Sequence, residues 1–148
     1  MTLPATLHAS AVAIDGHGLL LIGPSGAGKS DLALRLIDVG ATLVADDRVI
    51  AEARAGRLHL SAPAGIAGLI ELRGVGIVRL PFGHAPARLV LRLGEPVSRL
   101  PAPETMLIAG IALPCLNLDP FQPSAVNKAR HAMALAAANR LWSADEYG

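Results

Sequence analysis

The 148-residue chain has few aromatic residues and a single cysteine, and each shortage narrows the possible functions. Aromatic residues make up 3% of the sequence, and no motif for recognising a nucleotide base is visible. Cys115 has no partner for an internal disulfide, and its apolar, proline-flanked surroundings favour a buried small side chain over a nucleophile. The first residues lack the basic region of a signal peptide, so we expect a cytoplasmic protein.

Long apolar runs and a strong charge of either sign are also missing. The longest uninterrupted apolar run is seven residues, within residues 132–138, far short of the roughly 20 that a membrane-spanning helix needs. The 13 Lys and Arg nearly balance the 12 Asp and Glu, which leaves a formal net charge of +1. Such a small charge favours binding to neither nucleic acid nor a membrane surface.

What the sequence does contain is enough apolar material for one folded domain. Hydrophobic residues make up 52% of the chain and charged residues 17%, a balance typical of globular rather than disordered proteins. We find no internal repeat and no low-complexity tail. We therefore predict that residues 1–148 form a single domain.

The most informative stretch is Gly23-Pro24-Ser25-Gly26-Ala27-Gly28-Lys29-Ser30, which fits the phosphate-loop pattern G-x-x-x-x-G-K-[ST]. An apolar run precedes it and a helical pattern follows, so strand, loop and helix come in the order that the motif requires. Glycines let backbone N–H groups turn towards a polyphosphate, and the helix N-terminus adds a positive dipole end. Lys29 would reach the outer phosphates, and Ser30 would ligate Mg²⁺. The stretch predicts a nucleoside triphosphate site.

A hairpin is predicted just before this loop. Residues 7–14 are typical of a strand with a polar break at Ser10, and Asp15-Gly16-His17-Gly18 is a turn back into the strand that feeds the loop. His8 would then lie on a strand close to the loop strand. From the residues alone, His8 is either a half-buried side chain with a structural hydrogen bond or a side chain that reaches the phosphates.

A helix and a short strand are predicted just after the loop. Residues 29–39 have the apolar spacing of a helix that ends at Gly40, and residues 42–45 are typical of a strand. The strand-helix-strand order makes this strand parallel to the loop strand, so Asp46 and Asp47 arrive beside the phosphates. Adjacent strand residues point to opposite faces, so we expect one carboxylate to face the phosphates and the other to anchor the loop or a basic group.

The remaining chain predicts further strands and one helix. Residues 49–51 and 58–60 predict a hairpin, residues 88–93 a strand with its arginines outward, and residues 107–113 another extended run. Two close glycines, Gly74 and Gly76, predict a loop whose backbone must bend. A helix is predicted after Pro123, and its apolar face comprises Val126, Ala129, Met133, Ala137 and Leu141.

These pieces together resemble the bacterial HPr kinase/phosphorylase family, which phosphorylates a serine on the sugar-transport carrier HPr. The matching segments are His8, the phosphate loop, Val44-Ala45-Asp46-Asp47-Arg48-Val49 and Ile70-Glu71-Leu72-Arg73-Gly74-Val75-Gly76-Ile77. They come in the family's order with near-family spacing, and they cover residues 7–93. The resemblance implies the α/β P-loop fold of that catalytic domain, of the phosphoenolpyruvate carboxykinase-like type with a mixed sheet and flanking helices. It also implies the catalytic domain alone, as in short versions of the enzyme.

Residue by residue, the resemblance implies roles for the site. Asp47 would accept the serine proton, and His8 would orient that carboxylate. Lys29 would hold the outer phosphates. Ser30 and Glu71 would bind Mg²⁺, and Asp46 would support the same cluster. The implied cofactors are ATP and Mg²⁺, and the implied partner is an HPr-type phosphocarrier protein.

The chain departs from the family's pattern in its C-terminal part. The family carries a Gly-Arg-Asn segment associated with dephosphorylation, whereas Leu113-Pro114-Cys115-Leu116-Asn117-Leu118-Asp119 contains no such arginine. The resemblance therefore supports the kinase direction more strongly than the reverse, phosphorylase direction. It also implies a homo-oligomer, which in the family is a hexamer.

Other functions of the same loop stay open at this point. A small-molecule or nucleotide kinase would add a lid with clustered arginines, for which we find no candidate. An ATP-sensing regulatory module would bind ATP with little turnover and would not require Asp47. A GTPase would need an N-K-x-D motif, and Asn127-Lys128-Ala129-Arg130 lacks the aspartate and lies within a predicted helix.

Overall fold

A computed structural model describes residues 4–142, which form eleven β-strands and two α-helices. The strands are β1 Ala5–Leu7, β2 Ala9–Ile14, β3 His17–Ile22, β4 Thr42–Ala45, β5 Val49–Arg54, β6 Arg57–Ser61, β7 Leu69–Leu72, β8 Gly76–Arg79, β9 Ala85–Leu93, β10 Thr105–Ile108 and β11 Ile111–Leu118. The helices are α1 Lys29–Asp38 and α2 Ala125–Ala137, and a short 3₁₀ turn spans Ala64–Ile66. The fold is mixed α/β, as predicted.

Three parallel strands form the centre of the main sheet. Strand β9 pairs in parallel with β3 on one side and with β11 on the other. Strand β2 pairs antiparallel with β3, which confirms the predicted hairpin, and β4 pairs antiparallel with β2. Strand β4 therefore runs in the predicted direction, parallel to β3, but β2 lies between the two.

A second group of strands continues the sheet from the start of β9. Strands β1, β5 and β6 pair antiparallel with one another in that order. Strand β6 then pairs with residues 85–86 of β9, whereas β11 pairs with residues 90–93. The long strand β9 thus joins both parts of the sheet, and the hairpin predicted for residues 49–60 is confirmed as β5 and β6.

Both faces of β3, in the centre of the sheet, are buried, and this explains its continuous apolar run. Leu19, Leu20 and Leu21 each have 0% exposure. Leu19 and Leu21 belong to the apolar cluster that contains the buried side chains of α1 and α2. Leu20 belongs to a second cluster on the other face, with residues of β5, β6 and β11. Central strands covered on both faces have no solvent-facing positions, so β3 shows no alternation of polar and apolar residues.

Two predicted segments contain a hairpin that the sequence pattern did not show. Residues 107–113 were expected as one extended run, but the chain turns at Ala109 and Gly110, with φ of +49° and +82°, between β10 and β11. The single-run prediction was wrong because alanine in a left-handed turn gives no turn signal. Gly74 and Gly76 do bend the backbone as predicted, with φ of +85° and +134°, but their flanks pair as β7 and β8.

The two helices follow their predicted positions closely. Helix α1 ends next to Gly40, whose φ of +114° suits a glycine that stops a helix. Helix α2 buries Ala125, Ala129, Met133 and Ala136, whereas Leu141 lies beyond its end. Within residues 4–142, neither helix has the length and apolar character needed to cross a membrane.

The burial of β9 predicts a large stability loss when its core is truncated. Leu91 is 1% exposed and lies in the cluster beneath the helices. We expect Leu91→Ala to lower the free energy of unfolding by about 2–5 kcal/mol, because apolar contact is lost and a cavity remains. Urea denaturation measures this change. The matched control is Leu107→Ala, whose side chain belongs to a 72% exposed residue and should change stability by less than about 0.5 kcal/mol. Equal losses in both variants would contradict this arrangement of the core.

Candidate functional site

The phosphate loop lies where β3 and β9 end side by side. A Cβ atom at Gly23 would lie 2.6 Å from the carbonyl oxygen of Leu93, so a side chain at this position would force β3 and β9 apart. Gly26 and Gly28 have φ of +83° and +99°, in the left-handed region that glycine adopts without strain. The loop therefore has the compact backbone that exposes N–H groups to phosphate oxygens.

The Lys29 side chain folds back over this loop. The residue is 8% exposed, and its Nζ donates hydrogen bonds to the carbonyl oxygens of Gly23, at 2.6 Å, and Pro24, at 3.1 Å. The ammonium group is thus held above the loop, where phosphate oxygens can replace the two carbonyl partners. This position fits the role that the sequence predicts for Lys29.

Asp46 is a buried carboxylate with three hydrogen-bond donors around it. Its Oδ1 accepts from the hydroxyl of Ser30 at 2.6 Å and from that of Ser10 at 2.8 Å, and its Oδ2 accepts from the backbone N–H of Glu71 at 3.3 Å. The residue is 7% exposed. A buried carboxylate needs such partners to offset its lost hydration. Asp46 is therefore the carboxylate that meets the phosphate loop, through Ser30.

The neighbouring Asp47 points the other way, into solvent. Its Oδ1 lies 3.0 Å from Nε2 of His8, and the two side chains are 65% and 58% exposed. Asp47 has φ of +71°, a left-handed conformation that aspartate adopts more readily than most residues. Because β4 ends at Ala45, this local turn, and not the alternation of a strand, separates the two carboxylates.

His8 and Asp47 meet because each lies at a bend between two consecutive strands, and at both bends the strand before and the strand after pair with different neighbours. Strand β1 pairs with β5, whereas β2 pairs with β3 and β4. The bend between β1 and β2 is His8, and the bend between β4 and β5 contains Asp47. The N–H of Ala9 also donates to the carbonyl oxygen of Asp47 at 3.2 Å. The prediction that His8 lies on a strand was wrong, but its predicted closeness to this carboxylate agrees with the geometry.

Glu71 reaches the site through its backbone. Strands β7 and β8 form a separate two-stranded hairpin, and the N–H of Glu71 binds Asp46. The Glu71 side chain is exposed and has no hydrogen bond among residues 4–142. The resemblance placed Glu71 in one cluster with Asp46, and this backbone contact agrees with that placement; its role as a metal ligand stays a prediction.

Sequence reasoning missed two residues that support the site. Ser10 is 0% exposed and donates to Asp46, and the only sequence signal was its polar break in an apolar strand. Arg35 of α1 donates to the carbonyl oxygen of Pro120 at 2.6 Å and so fixes the segment after β11 against the helix of the phosphate loop. That contact joins residues far apart in the chain, so no local sequence pattern predicts it.

Cys115 is buried on β11, as predicted. The residue is 2% exposed, and burial raises the pKa of its thiol. A thiol that resists ionisation is a poor nucleophile, so Cys115 has a packing role.

Comparison with known proteins points to one family. A model of the HPr serine kinase C-terminal domain matches residues 1–88, which include the phosphate loop, His8, both aspartates and Glu71. The HPr kinase/phosphorylase of Brevibacillus brevis is 47% identical over 88 residues, which are 57% of this chain and 28% of that protein. The HPr kinase/phosphorylase of Caldanaerobacter subterraneus is 47% identical over 99 residues, 61% of this chain and 32% of that protein. This chain thus spans about a third or less of the length of these relatives.

A solved structure extends the likeness beyond residue 88. The Hpr(Ser) kinase/phosphatase from Coxiella burnetii matches with a TM-score of 0.75 and 30% sequence identity, over 93% of this chain and 91% of that one. The C-terminal strands and α2 therefore follow that fold, although the family model matches only the first part of the chain.

The hydrogen bond from Ser10 to Asp46 predicts a measurable stability effect. Ser10→Ala leaves the buried carboxylate with one donor fewer, so we expect the free energy of unfolding to fall by about 1–3 kcal/mol. Thermal and urea denaturation measure it. Ser61→Ala is the matched control, because Ser61 is half-buried on β6 and its hydroxyl has no hydrogen bond within residues 4–142. Unchanged stability of Ser10→Ala would show that this bond does not support the fold.

The buried thiol predicts low chemical reactivity. In the native protein, Cys115 should react with a disulfide reagent such as dithiobisnitrobenzoate far more slowly than in urea, because the thiol is both covered and resistant to ionisation. The reaction is followed at mildly alkaline pH by the absorbance of the nitrobenzoate thiolate that the reagent releases. Rapid stoichiometric labelling of the native protein would contradict the packing role.

Proposed function

The chain belongs to the HPr serine kinase C-terminal domain family, and we propose that it transfers the γ-phosphoryl group of ATP to a serine of an HPr-type phosphocarrier protein. Such a transfer needs a cradle for the phosphates, positive charge to neutralise them and a group that receives the proton of the attacking hydroxyl. The loop of residues 23–30 supplies the first, Lys29 contributes to the second, and Asp47 supplies the third. Each stands at the edge of the sheet where β3 and β4 end.

Magnesium fits the oxygen donors beside the loop. The Ser30 hydroxyl and the carboxylates of Asp46 and Glu71 are the hard ligands that this ion prefers. We infer that Ser30 and Glu71 would hold the ion and that Asp46 would position Ser30. When bound, the ion supplies charge neutralisation at the phosphates. Among residues 4–142, no three His, Cys, Asp or Glu side chains form a metal-binding group.

The exposure of Asp47 is the observation that carries the proposal. Its side chain is 65% exposed, and it directly follows Asp46, which binds Ser30 of the phosphate loop, so the serine of a folded protein can approach it. A kinase for small molecules would instead enclose its base in a pocket to exclude water. In the proposed step, the serine oxygen bonds to the γ-phosphorus, the bond to the β–γ bridging oxygen breaks, ADP departs, and the serine proton passes to the Asp47 carboxylate.

His8 would act through Asp47. The 3.0 Å contact between His8 Nε2 and Asp47 Oδ1 holds the carboxylate in one orientation, and the left-handed backbone of Asp47 restricts it further. An exposed carboxylate without such restraint would spread over several rotamers. We therefore assign His8 a positioning role.

The direction of the reaction and the location of the protein in the cell are also part of the proposal. Residues 113–119 contain no arginine, so we propose the kinase direction as the main activity, and phosphate release from seryl-phosphorylated HPr measures the reverse one. We also propose a cytoplasmic location, where ATP is available. A homo-oligomeric assembly and a single domain over residues 1–148 stay predictions.

The central prediction is that one substitution at Asp47 greatly slows phosphoryl transfer but leaves ATP binding intact. Asp47→Asn preserves the shape and the left-handed backbone but removes the proton acceptor. We expect the rate of serine phosphorylation to fall about 100-fold or more, with ATP affinity within about threefold of the wild type. Labelled ATP, Mg²⁺ and purified HPr measure transfer, and calorimetry measures binding. Lys29→Ala should weaken both.

Asp15→Asn provides a matched control. Asp15 is an exposed aspartate with φ of +50° in the turn between β2 and β3, at the other end of these strands from the phosphate loop. It undergoes the same chemical change and should keep wild-type rates. Absence of label on the HPr serine with wild-type protein would refute the kinase. Unchanged output from Asp47→Asn would favour an ATP-sensing module.

A further inference from the structure

Three loops meet at the edge of the sheet that holds the phosphate loop. Because β3, β9 and β11 are mutually parallel, their C-terminal ends lie at one edge, where ligands of α/β sheets bind. The phosphate loop follows β3, Gly94 follows β9, and residues 119–122 follow β11. A Cβ atom at Gly94 would lie 3.3 Å from Cδ of Pro24, so the second loop touches the phosphate loop directly.

The third loop touches it as well, through an aromatic ring. A Cβ atom at Gly28 would lie 2.9 Å from Cγ of Pro120 and 3.1 Å from Cζ of Phe121. Gly28 ends the glycine-rich part of the loop and directly precedes α1, so the ring stands at the junction of the phosphate loop and its helix. Phe121 is nevertheless 66% exposed. The ring atoms nearest to Gly28 are Cζ and Cε1, and the residue as a whole remains mostly exposed to solvent.

Hydrogen bonds hold the loop that carries this exposed ring in place. Arg35 donates to the carbonyl oxygen of Pro120 at 2.6 Å, and the N–H of Phe121 donates to Oδ1 of Asp119 at 3.0 Å. Lys128 of α2 donates to Oε1 of Gln122 at 2.5 Å. The loop is therefore tied to both helices, which fixes where the backbone of Phe121 lies although its ring is outside the core.

We propose that Phe121 is the platform on which the base of the bound nucleoside triphosphate stacks. This inference rests on the proposed nucleotide site but not on the identity of the phosphoryl acceptor. A triphosphate seated in the loop leaves its nucleoside outside the loop, beside the neighbouring strand ends. An aromatic face held there offers the stacking contact that any nucleobase can make. Phe121 lies outside residues 1–88, the part of the chain that the family model matches.

Comparing ATP with inorganic tripolyphosphate tests the platform, since both fill the loop and only ATP carries a base. For Phe121→Ala, we expect ATP to bind about tenfold more weakly, with tripolyphosphate within about twofold of the wild type. Phe121→Tyr keeps the ring and should bind ATP within about twofold. Calorimetry in the presence of Mg²⁺ gives the dissociation constants, and thermal unfolding checks that each variant is folded. The control is Leu107→Ala, an exposed apolar residue on β10, which should bind both ligands normally.

Two results would overturn the platform. Unchanged ATP affinity in Phe121→Ala would show that the base does not use the ring. An equal loss for ATP and tripolyphosphate would show that the ring only supports the loop. Failure of the proposed kinase looks different: the wild type would bind ATP with the expected ring dependence, yet HPr would remain unlabelled.

Discussion

The buried carboxylate of Asp46 holds the site together. Removing a carboxylate from water is costly unless hydrogen bonds replace the lost hydration, and here the donors are Ser10, Ser30 and the N–H of Glu71. These donors belong to β2, α1 and β7, and Asp46 itself follows β4. One side chain thus ties four segments of the chain to the end of the phosphate loop. The loop, the two aspartates and the β7–β8 hairpin keep their relative positions because this carboxylate must be satisfied.

The same arrangement gives the two neighbouring aspartates opposite surroundings. Asp46 is 7% exposed and fully hydrogen-bonded, so it positions Ser30. Asp47 is held outward by its left-handed backbone and by His8, where a protein substrate can reach it. A buried carboxylate beside an exposed one suits the proposed kinase, whose acceptor is a folded protein. Burial of one carboxylate and exposure of the next are therefore the physical basis of the proposed specificity.

Much of the region before residue 60 was predictable from local patterns. The hairpin of β2 and β3, the phosphate loop and α1 each have a signal carried by nearby residues: a turn motif, spaced glycines and apolar periodicity. The resemblance to a known family added Glu71, which no local pattern marked. The hairpin of β10 and β11 was missed because Ala109 adopts a left-handed conformation that alanine rarely takes. His8 was wrongly predicted to lie on a strand because a bend of one residue between two strands has no characteristic sequence pattern.

The sequence by itself determined which residue types are present and where the phosphate loop lies, since that motif is local and its chemistry follows from its glycines, Lys29 and Ser30. Only the tertiary structure decided which aspartate is buried and which is exposed, because that depends on the pairing of β1 with β5 and of β2 with β4. It also decided that Pro120 and Phe121 lie against Gly28. Contacts between distant segments arise from strand order and packing, and no window of sequence contains both partners.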